Sequence, residues 1–246
     1  MTIETPNLPQ NKVSLFALAE GFDALSNALL GLNAELIYVK KDEVFEPSES
    51  NHPDMHIHHL GGKKIMLYRE DEYLKEEFLK RGFDVVFAAD KKSGQYPKSA
   101  ALNALRIGNM LLCNLKSVDS NLRLYAEQNG IEILPCRQGY ARCSTCVVSD
   151  KAVITSDPSV AKALGNRVEV LTISRGQIRL GGGFDGFIGG ASSKIDKNTL
   201  AFFGDISRHS EYINIKSFLS NHSVLPVSLV GGELTDVGTI IPLKTF

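Results

Sequence analysis

Short apolar runs recur along this chain in one repeated order, switching between the two-residue period of strands and the wider spacing of helices. The order is clearest over Cys143–Ser174. Cys146-Val147-Val148 reads as a short strand, Ser149-Asp150-Lys151 supplies turn chemistry, and Ala152–Thr155 reads as a second strand. Ser156-Asp157-Pro158-Ser159 gives an N-cap with an early proline, for a helix running to Leu164. Val168–Ile173 returns as a third strand. Forty-two residues earlier the order repeats: Leu102–Ile107, the Gly108-Asn109 turn, Met110–Cys113, a helix over Leu122–Gln128 closed by Asn129-Gly130, and Ile131–Leu134. Forty-six residues later than Asp150-Lys151 comes Asp196-Lys197, then Thr199–Phe203, a helix over Ile213–Leu219 and Leu225–Leu229. A further copy runs Met55–Leu60, Gly61-Gly62, Ile65–Tyr68, helix Glu72–Lys80, Gly82 and Val85–Phe87.

The two ends complete the set. Lys12–Leu18, Phe22–Leu30 and Ala34–Val39 read as strand, helix and strand with no first strand before them, and Thr239–Leu243 reads as a strand with no helix after it. Joining them gives five ββαβ units. The pattern therefore predicts one α/β domain over residues 1–246, a five-fold pseudo-symmetric α/β propeller closed by the C-terminal strand. Closure of that kind removes exposed sheet edges. An open α/β sheet also alternates helices and strands, but it lacks a strand pair before each helix.

Two stretches fall outside the repeat. Lys40–Asn51, with Glu43, Glu46, Glu49 and Pro47, reads as a solvated loop. Arg175–Gly190 is the other; its Gly181–Gly190 part is rich in glycine and carries Asp185 and Phe187, so its backbone can approach a ligand closely. It matches neither a phosphate loop nor a dinucleotide fingerprint. Charge sharpens this picture by exclusion. The 27 Lys+Arg against 28 Asp+Glu leave a formal net charge of −1, which argues against a nucleic-acid partner bound by broad phosphate neutralisation. No run approaches the ~18 apolar residues of a membrane span. The N-terminus lacks the basic and apolar regions of a secretion signal, and four cysteines are no disulfide framework, so a cytoplasmic setting is the expectation.

Five such units with circular closure resemble the pentein superfamily, the fold of guanidino-group-modifying enzymes and of a non-catalytic ribosome anti-association factor. Gly139–Val148 also resembles a segment of an uncharacterised bacterial pentein-like family. The resemblance implies a central site for a small guanidino or amidine molecule, with a thiol acting as hydrolase or transferase nucleophile. In the enzymes that cysteine lies on a first strand near the C-terminus. Here the segment reads Thr235-Asp236-Val237-Gly238-Thr239-Ile240-Ile241-Pro242, with no cysteine, and no His-x-Asp is present.

Inner strands of such a ring point toward its centre, which predicts His58 or His59, Ala104, Cys146, Ser192 and Ile240 or Ile241 there. Cys146 is the expected nucleophile, His58 the proton shuttle and Asp185 the carboxylate for a cationic group. His56, Asp54, Asn103, Ser192 and Asp236 are expected to bind substrate. Against this, Cys146 beside Val147 and Val148 also fits a small buried hydrophobe, and Asn103 fits turn chemistry. Cys143-x-x-Cys146 with His56-x-His58 raises a metal reading, but one CxxC is thin evidence; no metal or cofactor is expected. The other function class is a binding protein that uses one rim for a macromolecular partner, and a homo-oligomer is compatible with either. Burial separates the classes, because an enzyme needs histidine and carboxylate beside an accessible sulfur.

Overall fold

The computed structural model describes every residue from Met1 to Phe246. The fifteen strands form five separate three-stranded sheets. In chain order the elements are β1 (Val13–Ala19), α1 (Asp23–Gly31), β2 (Glu35–Val39), a one-turn α2 (Pro53–His56), β3 (Ile57–Gly61), β4 (Lys64–Leu67), α3 (Glu72–Lys80) and β5 (Asp84–Phe87). Next come β6 (Leu105–Ile107), β7 (Met110–Cys113), α4 (Ser120–Gln128), β8 (Glu132–Pro135), β9 (Thr145–Ser149), β10 (Ala152–Thr155), α5 (Pro158–Leu164) and β11 (Glu169–Thr172). The last are β12 (Ser192–Lys194), β13 (Thr199–Phe203), α6 (Tyr212–Asn221), β14 (Leu225–Val230) and β15 (Ile241–Thr245). No helix is long and apolar enough to cross a membrane.

Each sheet has one plan: a first strand antiparallel to the middle strand, and a third strand parallel to it after a helical crossover. Closure is as expected from the two chain ends. β15 lies antiparallel to β1, with Val13 opposite Thr245, Phe16 opposite Pro242 and Ala17 opposite Ile241.

Five buried apolar clusters lie where neighbouring units meet. One joins Cys146 and Ile154 of the β9–β10 unit to Phe202, Ile215 and Leu219 of the next. Another joins Leu15, Ile241 and Leu243 to Ile57, Ile65 and Phe78. A unit therefore has no complete core of its own, and closing the ring buries the last seam.

Several boundaries move for local reasons. Pro53 starts a helical turn, so Met55 is helical and the strand begins at Ile57. The final strand starts at Ile241, because Thr239 adopts a left-handed backbone at φ +65°. The Lys40–Asn51 loop exposes Glu43, Glu46 and Pro47 as expected but is anchored at three points. Phe45, Ser50 and Asn51 are buried, and Asn51 Nδ2 donates to Glu20 O at 2.7 Å.

All five inner strands (β3, β6, β9, β12, β15) enter the ring from one end. At their exit end the N-terminal segment lies across the molecule. Ile3 N donates to Leu243 O at 3.1 Å, Gly62 N to Ile3 O at 3.0 Å, and Asn7 Nδ2 to Arg106 O at 2.9 Å. The centre is consequently packed rather than an open funnel: the cavity lined by Asp54, His58, His59, Arg106 and Arg142 measures about 20 Å³.

Candidate functional site

The segments that lead into the inner strands bring the polar residues together. Asp54 precedes β3, Asn103 precedes β6, Arg142 and Cys143 precede β9, Gly190 precedes β12, and Asp236 and Thr239 precede β15. Hydrogen bonds knit these lead-ins into one cluster. Asn103 Oδ1 accepts from the backbone N–H groups of Arg142 at 3.0 Å and Cys143 at 3.1 Å. Arg142 donates to Asn7 Oδ1 at 3.2 Å, Gly189 O at 3.3 Å and Thr239 Oγ1 at 2.7 Å.

The thiol inside this cluster belongs to Cys143. Its Sγ donates to Asp54 Oδ2 at 2.7 Å, and Asn103 Nδ2 approaches the sulfur at 3.6 Å. His52, Asp54 and Cys143 have side-chain heteroatoms within 4.8 Å of one another. Across from them, Asp236 accepts from Phe187 N at 2.8 Å and Gly238 N at 2.9 Å, and its Oδ1 lies 3.9 Å from His52 Nδ1. Glycine makes room for two of these side chains. A Cβ on Gly190 would collide with the Asp236 carboxylate, and one on Gly238, already at φ +68°, with the His52 side chain.

Burial sets the protonation of this group. It raises the Asp54 carboxyl to about 8 and the Asp236 carboxyl to about 6. It holds the Cys143 thiol well above its ordinary value, helped by the neighbouring Asp54 and Asp236 carboxyls, and lowers His52 to about 3. Glu49, from the loop over the cluster, is also raised by burial. Asp54 and Asp236 thus share one guanidinium, that of Arg142, with the Glu49 carboxyl adding negative charge near both. The neutral imidazole can take a proton, the thiol can give one to Asp54, and the acidic surplus can hold a cation.

The site expectations divide. Asp54, Asn103 and Asp236 do lie in the cluster, although Asn103 spends its oxygen on backbone N–H groups. His58 lines the 20 Å³ cavity on the other side of Asp54. Ser192 begins β12, where its Oγ donates to Ile188 O at 2.6 Å. Cys146 is elsewhere: it is fully buried in the apolar cluster with Val148, Ile154 and Phe202, and burial raises its thiol to about 11. The strand boundary explains the difference, since Cys143 sits on the turn before β9 and Cys146 on its core face. Alkylation by iodoacetamide should therefore modify Cys146 no faster than Cys113, as read by peptide mass spectrometry. Rapid, selective labelling of Cys146 would contradict its placement.

Asp185 does not reach the centre. It is exposed on the outer rim, where its backbone bridges Arg179. Only the second half of the glycine-rich segment, Phe187–Gly190, borders the site. His56 belongs to a separate group, with Nε2 3.0 Å from Ser50 O and Nδ1 3.7 Å from Asp71 Oδ2. Asp42, His56 and Asp71 are close enough to hold a cation, but the Lys92 ammonium already bonds both carboxylates. His52 went unnamed in the sequence reading, and Cys143 entered it only as half of a Cys-x-x-Cys pair, because neither stands in a strand. The signal available was the polar or small residue two places before four of the inner strands: Asn103, Cys143, Gly190 and Thr239.

The fold is similar to that of solved penteins. It superposes on an amidinotransferase from Microseira wollei in the saxitoxin biosynthetic pathway with TM-score 0.55 and 11% identity, covering 99% of this chain and 97% of that one. The inosamine-phosphate amidinotransferase of Streptomyces griseus gives 0.59 and 12%, over 100% and 97% of the two chains. The N-terminal domain of an arginine dihydrolase from the ornithine–ammonia cycle in cyanobacteria gives 0.57 and 13%, over 94% and 98%. No curated protein sequence matches the chain. At these identities the likeness establishes the pentein fold and nothing finer. At the level of sequence, the model of the Family of unknown function (DUF6873) matches residues 19–241, and the chain belongs to that family.

Proposed function

We propose that this pentein binds a small molecule bearing a guanidino or amidino group at the Cys143–Asp54–Asp236 cluster, and that Cys143 is its nucleophile. The observation that carries the reading is the 2.7 Å approach of the Cys143 sulfur to Asp54 Oδ2, with Asp236 and His52 beside it. A guanidinium entering here brings a second positive charge to carboxyl groups that share only Arg142. That charge lowers the proton affinity of Asp54, Asp236 and the thiol together. The thiolate then attacks the guanidino carbon, and the departing amine takes a proton, with the His52 imidazole as the nearby carrier. Water, or a second amine, releases the group from sulfur, which gives hydrolysis or transfer. The names of the solved neighbours, amidinotransferase and arginine dihydrolase, support that class of substrate.

Burial of the sulfur favours a second reading, since Cys143 is only 3% exposed. In it the cluster binds the cation without turnover and the protein acts through a partner. One experiment separates the two. Purified protein is incubated with a panel of guanidino and amidino compounds, and amine release and amidino transfer are measured. Turnover with parent protein that vanishes in Cys143→Ser, while Cys146→Ser keeps it, is the expected result. Ligand binding by calorimetry with no turnover in the parent protein would move the protein to the binding class.

A further inference from the structure

The small cavity beside Asp54 collects an unusual share of the molecule's unpartnered polar atoms. Eleven buried side-chain N and O atoms lack a hydrogen-bond partner, and four of them belong to residues that line this one 20 Å³ space: Asp54 Oδ1, His58 Nε2, His59 Nδ1 and Arg106 Nε. Their residues are each at least nine-tenths buried. Buried groups of this kind rarely go unpaired.

Hydrogen-bond polarity decides what fits. His58 Nδ1 lies 3.1 Å from Leu102 O, so it carries the ring hydrogen and leaves Nε2 an acceptor. His59 is the mirror case: Nε2 donates to Gly62 O at 3.2 Å and Nδ1 is the acceptor. Burial lowers both rings, to about 3 and about 4, which keeps them neutral. Arg106 Nε is a donor. An anion would face two acceptor nitrogens, and a cation would face the Arg106 and Arg142 guanidinium groups. Water satisfies the set, and about 20 Å³ holds one molecule. It donates to His58 and His59 and accepts from Arg106. Its second lone pair then needs a donor, and the remaining atom is Asp54 Oδ1.

We propose that one water at the ring's centre, held by His58, His59 and Arg106, keeps Asp54 a neutral acid in the ligand-free protein, so that binding a guanidinium at the neighbouring site expels one proton. The inference rests on the function proposed above for that site. The groups facing Asp54 are Cys143, His52, Asp236, Glu49, Arg142, His58, His59 and Arg106. Among them Asp236 and Glu49 oppose a negative charge on Asp54, and Arg142, the cation that draws Asp54 down, is shared with Asp236. His58 is in this account a positioning residue, acting on the thiol's partner through water.

The sign of the pH dependence follows. A free carboxyl that titrates near 8 must lose its proton when the cation binds, so affinity rises with pH by about tenfold per unit between pH 6 and 8 and levels off above. Below about 6, Asp236 adds a second proton to the release. Methylguanidinium stays cationic throughout and serves as the probe. Calorimetry at pH 7 in two buffers of different ionisation enthalpy should show release of about one proton per bound cation. In the ligand-free protein, infrared spectroscopy should show a protonated-carboxyl band that is missing from Asp54→Asn and fades near pH 8. His58→Leu should move that fading at least one pH unit lower, and His58→Gln, which keeps an acceptor, should restore it. No such band at pH 7, or binding that is independent of pH, overturns the inference while leaving the binding site in place. If methylguanidinium does not bind at any pH, the functional reading falls, and the infrared result still decides the state of Asp54.

Discussion

A chain ending at Thr235 will yield no soluble, folded protein. The eleven residues it lacks contain β15, the partner that closes the ring on β1. Four large apolar side chains leave with them: Val237, Ile240, Ile241 and Leu243, all at most 5% exposed. At ~1.5–3 kcal/mol per buried aliphatic side chain, their loss amounts to ~6–12 kcal/mol, comparable with the whole stability of an ordinary domain. Two seams open at once, because Val237 and Ile240 pack with Phe16 and Phe203 while Ile241 and Leu243 pack with Leu15 and Phe78. β1 also becomes an exposed edge, open to pairing with other chains. Expression followed by sedimentation and circular dichroism tests this. A soluble truncated chain with cooperative unfolding would mean that the other four seams suffice, and that closure is decorative.

Replacing Arg142 by alanine should cost ~3–5 kcal/mol, the range for breaking a buried, fully bonded charge. The side chain stands at the crossing of four chain segments, bonding Asn7 of the N-terminal segment, Thr145 and Gly189 carbonyls, and the Thr239 hydroxyl. Its removal strands those acceptors and leaves Asp54 and Asp236 without the guanidinium that draws both carboxyls down. Lysine should not rescue it, since a single ammonium cannot span partners arranged around a planar fork. Urea unfolding of Arg142→Ala and Arg142→Lys gives the answer. A loss below ~1 kcal/mol in the alanine variant would show that the hydrogen-bond web adds little beyond packing.

The architecture was legible because it repeats. Each unit writes the same strand, turn, strand, helix and strand, and the incomplete ends are complementary, so closure could be argued before any coordinates. The site was legible in part. Asp54, Asn103 and Asp236 precede inner strands, and a ring directs such residues toward its axis. The thiol inside the cluster is that of Cys143, three positions before the Cys146 expected at the centre, because alternation assigns a face only inside a strand and Cys143 lies just before one. Asp185 was drawn to the centre by its glycine neighbours. Those glycines serve two ends: Gly181–Gly183 turn on the surface, while Gly190 makes room for Asp236. The loop over the site carried no periodicity at all, yet Phe45 anchors it by packing against His56, with ring centroids 5.0 Å apart. Long-range pairing of that kind leaves no local mark in a sequence.

The central claim is that a cation is held at the lead-ins to the inner strands, with its reactive carbon facing Cys143. A crystal structure of Cys143→Ser with a guanidino compound bound tests it most directly. The expected result is a guanidinium between Asp54 and Asp236, its carbon next to the position of the missing sulfur, and His52 within reach of a leaving nitrogen. A ligand seated instead on the rim beside Asp185, or in contact with Cys146 and not residue 143, would contradict it.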